Sequence, residues 1–246
     1  MEEGIYHLYH KEEDGWWWSV GRRALVTKLW RRFLPMRLRP ALLEVGCGTG
    51  GLLGELCGWA DACGLDVSPE AVGYCRQRGL RGVCQGSLAL LPYRDGSFDG
   101  VIAVDVLEHL DDDEGALREM FRVCRPGGLL IATVPAFQFL WSRRDEQLHH
   151  KRRYTRGEFQ KRVAGAGFRV VRSTYLNPQL LLPLLLIVWA GRITGTGPNL
   201  KVDYALVPEP INRLMSGIVR LEAGLVTRVS FPVGTSIGCV ALKDAG

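Results

Sequence analysis

The residues best equipped for chemistry stand close together near position 45. Leu42-Leu43-Glu44-Val45 reads as an apolar strand, and Gly46-Cys47-Gly48-Thr49-Gly50 follows as a turn into a helix. Glycines in such a turn let the main chain bend sharply and approach a ligand with no Cβ in the way, while the helix N–H groups point at it. A glycine triplet also opens dinucleotide sites. Two details point elsewhere. The spacing is Gly-x-Gly-x-Gly rather than Gly-x-Gly-x-x-Gly, and Glu44 stands two positions before the first glycine. A pyrophosphate would be repelled by that carboxylate, whereas a ligand carrying an ammonium and a sulfonium would not.

Further chemistry-bearing residues follow in order. Glu44-Val45-Gly46-Cys47-Gly48-Thr49-Gly50 resembles the first motif of class I S-adenosylmethionine-dependent methyltransferases, and the likeness continues at the family's spacing. Gly64-Leu65-Asp66-Val67-Ser68 resembles the family's second-strand motif, which implies that Asp66 holds the ribose hydroxyls; a carboxylate can accept both bonds in one plane. Leu91–Asp99, Val104–Leu110 and Arg125–Gly128 are similar to the approach to the fourth strand, its end facing the methyl group, and the turn into the fifth strand. Where the family commonly places an acid on the adenine amino group, this chain has Ser87, leaving adenine to Ser87 and Leu88. The resemblance thus implies S-adenosylmethionine as cofactor, S-adenosylhomocysteine as product, and contacts from Glu44, Gly46, Cys47, Gly48, Gly50, Asp66, Val67, Ser87, Leu88 and Asp105.

Pro135-Ala136-Phe137, Leu140-Trp141 and His150-Lys151-Arg152-Arg153-Tyr154-Thr155 resemble a bacterial subgroup of these methyltransferases (types 11 and 12), as does the aromatic-basic run Trp16–Arg23. Trp16–Trp18 are expected to form a lid over the cofactor, with Trp18 and Arg23 among its contacts and Arg22 or Arg23 reaching its carboxylate; an aromatic staple packing the N-terminal helix on the body competes with that reading. His109, His150 and Tyr154 are the candidate catalytic residues, since histidine titrates near neutrality and suits proton transfer from a hydroxyl or amine. For His109 a helix-capping role competes with that one; for His150 and Tyr154 a loop network does.

The elements that must position these groups alternate. Strands are predicted at Ala41–Val45, Ala62–Asp66, Gly82–Gln85, Phe98–Asp105 and Leu129–Val134, with helices between them, which is the pattern of βαβ units and a parallel sheet. Ser68-Pro69 supplies an N-cap and first-turn proline, and Asp111–Asp113 load negative charge onto a later helix start. Phe168–Tyr175 and Ile237–Leu242 are expected to pair antiparallel at the sheet edge. The expected fold is therefore α/β, a Rossmann-like seven-stranded, mostly parallel sheet with helices on both faces and an antiparallel last strand. Its expected parts are an N-terminal helical lid (1–39), a cofactor-binding core (40–175), a helical substrate-cover insertion (176–235) and the last strand of the core (236–246).

Composition narrows the partners. The seven cysteines include no Cys-x-x-Cys pair, which points away from a disulfide framework or zinc site and towards buried thiols in the cytoplasm; no metal is expected. The start Met1-Glu2-Glu3-Gly4 has no apolar run and does not read as a secretory signal. The formal charge of +5 is concentrated in two runs, one from Arg22 to Arg39 and one from Arg143 to Arg156. These suit solvated faces or an anionic partner, but no nucleic-acid module accompanies them, so no nucleic acid is expected. Leu180–Ala190 (LLLPLLLIVWA) is far shorter than the roughly twenty residues of a membrane span. It is read as a buried helix, or as a pocket wall or peripheral membrane contact for a lipid-like substrate. The expected reaction is methyl transfer to an oxygen or nitrogen of a small or medium-sized, partly apolar acceptor. The rivals are a non-catalytic regulatory protein that binds S-adenosylmethionine, and methylation of a lipid or isoprenoid at a membrane surface.

Overall fold

The computed structural model describes residues 5–34, 38–194 and 207–245. Residues 1–4, Arg37 of the first basic run, and the middle of the expected insertion (195–206) lie outside the described residues.

Alternation of apolar side chains builds the sheet. Leu43, Val45, Val101 and Ala103 bury on one face, and Leu42 and Ile102 on the other, so the strands must be covered on both sides. Seven strands do this: β1 (Ala41–Val45), β2 (Asp61–Asp66), β3 (Val83–Gln85), β4 (Phe98–Val104), β5 (Cys124–Pro135), β6 (Arg169–Leu176) and β7 (Ser236–Leu242). Their order is β3-β2-β1-β4-β5-β7-β6, with β1 to β5 paired parallel and β7 antiparallel to both its neighbours. The expected Rossmann-like sheet is thus observed. The predicted β6–β7 pair forms, with β7 inside the sheet and β6 at its edge.

Helices cover both faces. On one side lie α5 (Asp113–Val123) and α7 (Arg156–Gly165), whose Leu117, Met120, Phe159 and Val163 join the larger core. On the other lie α2 (Trp17–Phe33) and α3 (Gly51–Cys57), contributing Leu25, Val26, Leu29, Leu52 and Leu56. Each fully buried leucine or valine side chain contributes about 1.5–3 kcal/mol. The caps agree with the sequence: Ser68 accepts from Ala71 N at the start of α4 (Pro69–Gln77), and Asp112 accepts from Gly115 N at the start of α5. Thr155 and Glu158 form a capping box at α7.

Three further elements frame the carboxyl edge of the sheet. α1 (Ile5–Glu12) leads through Glu13 and Asp14 into α2, α6 (Arg143–Gln147) follows β5, and α8 (Leu181–Thr194) follows β6. α9 (Glu209–Leu225) packs along α2. A buried α8 is not what forms. Leu182, Leu186, Trp189 and Ile193 are exposed, and Val188 is its buried side chain among those described. The helix is apolar around most of its circumference, and only one face can meet the body. No described helix is long and apolar enough to cross a membrane. Several residues of the basic runs pair with acids within the fold, as in Arg39–Asp61, Arg152–Asp113 and Arg153–Asp145. All seven cysteines are free.

Candidate active site

β1 delivers the glycine turn to the carboxyl edge, beside β4. Gly46 (φ 69°), Gly48 (φ 53°) and Gly50 (φ 89°) all adopt left-handed main chain, where a side chain would be strained. A Cβ on Gly46 would collide with Val106, while one on Gly48 would meet nothing within 4 Å, so open space lies beside the turn there. The Asp66 carboxylate, at the end of β2, accepts from Gly48 N at 2.8 Å and from Ser68 N at 2.9 Å, which fixes its direction beside the loop. Next to it Val67 is 65% exposed and Leu88 buried, and Ser87 Oγ accepts from Ala89 N. Glu44 is buried with Oε2 lacking any partner. Burial, and then the neighbouring Cys75, Glu13 and Asp66, push its carboxyl well above the ordinary carboxylate range.

The N-terminal segment closes over this turn. Thr49 Oγ1 donates to Glu13, and Arg78 bridges Glu13, Asp14 and the Thr49 carbonyl. Tyr6 sits near Asp66 and Ser68, and burial first, then the Asp66 charge, push its hydroxyl up to about 12. Arg23 donates to the Glu13 and Asp14 carbonyls at 2.9 and 2.6 Å and pairs with Glu55, so its guanidinium ties the lid together. Arg22 instead turns inward. Its Nε and Nη2 grip the Asp105 carboxylate at 2.8 and 3.1 Å, Nη2 reaches Ser236 Oγ at 3.0 Å, and the guanidinium lies 4.2 Å from the Trp18 ring centroid. Asp105 is itself left-handed (φ 49°), held there by Arg22 and by Thr133 Oγ1, which donates to it at 2.8 Å.

A cavity of about 390 Å³ opens at this edge. Asp105, Glu108, His109, Asp145, His150 and Arg153 form its polar side; Trp17, Trp18, Leu180, Pro183, Leu184 and Ile187 form its apolar side. The His109 and His150 rings meet edge to face at 4.7 Å. His150 Nδ1 is bonded to Asp145 at 2.8 Å, and Arg153 grips the same carboxylate at 2.8 and 3.0 Å. Burial alone would raise Asp145, but the bonds from His150 and Arg153 outweigh it and hold it at about 2. Burial first, then His150, lower His109 to about 4, so its ring is neutral near pH 7. Glu108, 1% exposed and with Oε2 lacking a partner, is pushed well above the carboxylate range by burial and by Asp105.

The sequence-predicted residues therefore fall into groups. His109, His150, Asp105 and Trp18 share the cavity; Gly46, Cys47, Gly48, Gly50, Asp66, Val67, Ser87 and Leu88 surround the turn; Glu44 is buried beneath it. Tyr154 is buried outside the cavity lining, where its hydroxyl donates to Asp113 at 2.7 Å. Trp17, of the expected Trp16–Trp18 lid, lines the cavity too; Asp145 and Glu108 also belong to it, and sequence reasoning did not single them out. For Glu108 the signal was present, in the run Asp105-Val106-Leu107-Glu108-His109. Asp145 carries none, because its partners are five and eight residues away across a loop.

The methyltransferase-domain family matches residues 43–132, the stretch that holds the turn, Asp66 and the start of the cavity floor. A probable S-adenosylmethionine-dependent methyltransferase of Mycolicibacterium smegmatis is 35% identical over 135 residues, 52% of each chain. Over this stretch the chain is similar to S-adenosylmethionine-dependent methyltransferases. An O-methyltransferase of Penicillium expansum is 28% identical over 210 residues, covering 78% of this chain and 76% of that one. Among solved structures, the methyltransferase in the Haloferax volcanii complex with the Trm112 activator superposes over 99% of this chain and 94% of its own, with TM-score 0.63 and 18% identity. The chain spans about half the length of the first of these curated relatives. The turn suits the cofactor of such methyltransferases, S-adenosylmethionine: Gly48 faces open space, the Asp66 carboxylate is fixed beside the loop, and the Glu44 carboxyl beneath it has an unpartnered oxygen.

Proposed function

We propose that the chain transfers the methyl group of S-adenosylmethionine to an oxygen or nitrogen of a small or medium-sized, partly apolar acceptor. The observation that carries this reading is the two-sided cavity at the carboxyl edge of the sheet, lined by Asp105, whose neighbour Val106 packs against Gly46 of the turn where the strand order reverses between β1 and β4. When bound, the cofactor supplies an electrophilic methyl carbon on a sulfonium that leaves as a neutral thioether.

The chain's own residues do the positioning. Asp66 takes the ribose hydroxyls, Val67, Ser87 and Leu88 enclose the adenine, and Gly46, Cys47, Gly48 and Gly50 let the main chain lie against the ligand. Glu44 offers its unpartnered oxygen towards the cationic end. Arg22 is neutralised by Asp105 in a bidentate pair, which fixes the Trp18 side of the lid. Trp17, Trp18, Pro183 and Ile187 exclude water and grip the apolar part of the acceptor. His109 and His150 each have one ring nitrogen engaged, by the Leu148 main chain and by Asp145, leaving the other to accept the acceptor's O–H or N–H. Orientation of this kind reduces the barrier by holding the lone pair in line with the methyl carbon. Tyr154, bonded to Asp113, serves by keeping the loop in place.

The test is turnover. Incubation with S-adenosylmethionine and a panel of phenols, amines and hydroxylated isoprenoids, read by mass spectrometry, should show one acceptor class gaining a methyl group. Cofactor binding with no turnover of any class would favour the non-catalytic, regulatory reading. A second reading, an acceptor with a long apolar tail presented at a membrane surface, is favoured by α8, whose Pro183, Leu184 and Ile187 line the cavity while Leu182, Leu186 and Trp189 face outward.

A further inference from the structure

Glu108, His109 and His150 are more than a polar lining. Each offers one ligand atom, and among the described residues these three atoms all lie within 4.8 Å of one another. Ligands at about 2.0–2.2 Å from one ion stand roughly 3–4 Å apart, so a small contraction of side chains would bring all three onto a common centre. Three separate features prepare them. Glu108 Oε2 is buried with no hydrogen-bond partner, a costly arrangement for a carboxylate unless a positive group completes it. His150 is bonded through Nδ1 to Asp145, the carboxylate–histidine arrangement that orients ring and tautomer at metal centres. His109 is bonded by one ring nitrogen to the Leu148 main chain, which leaves its second nitrogen as a lone pair. The nearest other carboxylates are already engaged: Asp105 by Arg22 and Thr133, Asp145 by Arg153 and His150.

We propose that Glu108, His109 and His150 bind a first-row divalent transition-metal ion at the floor of the acceptor cavity. Two imidazoles and one carboxylate suit such an ion better than magnesium or calcium, which prefer all-oxygen sets. Three ligands on one side leave positions open towards the cavity, where an acceptor oxygen can enter. The role of the ion rests on the methyltransferase reading: it replaces the direct histidine–acceptor hydrogen bond with an ion–oxygen contact, and so favours oxygen acceptors, above all those with a neighbouring hydroxyl or carbonyl. The cysteine pattern of the sequence pointed away from metal because it speaks only to thiolate sites.

Cobalt(II) is the probe, because its visible absorption reports nitrogen and oxygen coordination directly. Chelator-treated full-length protein titrated with cobalt chloride should develop a saturable visible band at one equivalent per chain. His150→Ala and Glu108→Gln should each weaken binding tenfold or more, and Asp145→Asn by about 10–100-fold through loss of its hold on His150. Calorimetry with S-adenosylhomocysteine on the same samples checks that each variant is folded; unchanged affinity there assigns the loss to the ion site. Absence of a saturable band in the wild type would overturn the proposal, as would wild-type cobalt affinity in all three variants. A cobalt band without S-adenosylhomocysteine binding would leave the ion site standing and overturn the methyltransferase reading instead.

Discussion

At the scale of residues, the site is held by charges placed where burial makes them expensive. Glu44 is the clearest case. Its carboxyl is raised in the folded chain, so above the ordinary value of 4.5 the unfolded state gives up its proton first and stability is lost as pH rises from there towards the folded value. Glu44→Gln should therefore raise the Tm of ligand-free protein at pH 7.5, with the advantage disappearing at pH 4.5 and below. If Glu44 faces the cationic end of the cofactor as proposed, the same variant should also bind S-adenosylmethionine more weakly. A Tm that falls equally at both pH values would contradict this role. Arg22 makes the opposite case. Its guanidinium is buried and bonded to Asp105 and Ser236, so Arg22→Ala strands a charge and should cost about 3 kcal/mol, the lower end for a buried pair, since Asp105 stays a quarter exposed. Urea denaturation measures it; a loss below about 1 kcal/mol would mean that the pair is of the surface kind.

At the scale of elements, the parts legible in the sequence are those specified by neighbouring residues. β1, β2 and β4, with the helices after β1 and β2, follow from apolar runs, glycine turns and caps within a few positions of one another. Ser68-Pro69 and Asp112 mark helix starts that the structure places as expected. What the local pattern does not contain is the choice of distant partner. Nothing near Ile237 says that β7 enters between β5 and β6, and nothing near Asp145 says that Arg153 and His150 close on it. The apolar run in α8 is the instructive case: its composition reads as core, yet one face lines the cavity and another meets solvent, because amphipathic spacing is missing and composition alone cannot say how many sides are covered. Replacing Leu182 and Trp189 by serine should change stability by no more than about 0.5 kcal/mol, as for other exposed positions. If the acceptor is drawn from a membrane, the same pair should abolish flotation with anionic liposomes that carry the wild type upward. A wild type that stays at the bottom of the gradient removes the membrane reading.

At the scale of the whole molecule, the N-terminal segment, the loop after β5 and α8 come together at the carboxyl edge of one sheet. The N-terminal segment latches the glycine turn through Glu13, Thr49 and Arg78, while α8 and the loop carrying Asp145 and His150 wall the cavity. Asp105, Phe137 and Asn177, just after β4, β5 and β6, are non-glycine residues with left-handed main chain, strain collected at the edge where a ligand would sit. The turn carries the claim on which all else depends, that the protein binds S-adenosylmethionine through Asp66. Calorimetric titration tests it most directly: the wild type should bind one equivalent of S-adenosylmethionine per chain, and Asp66→Ala should weaken binding tenfold or more, the loss expected for a charge-assisted hydrogen bond. A wild type with no saturable heat, or an Asp66→Ala variant that binds as tightly, would contradict it.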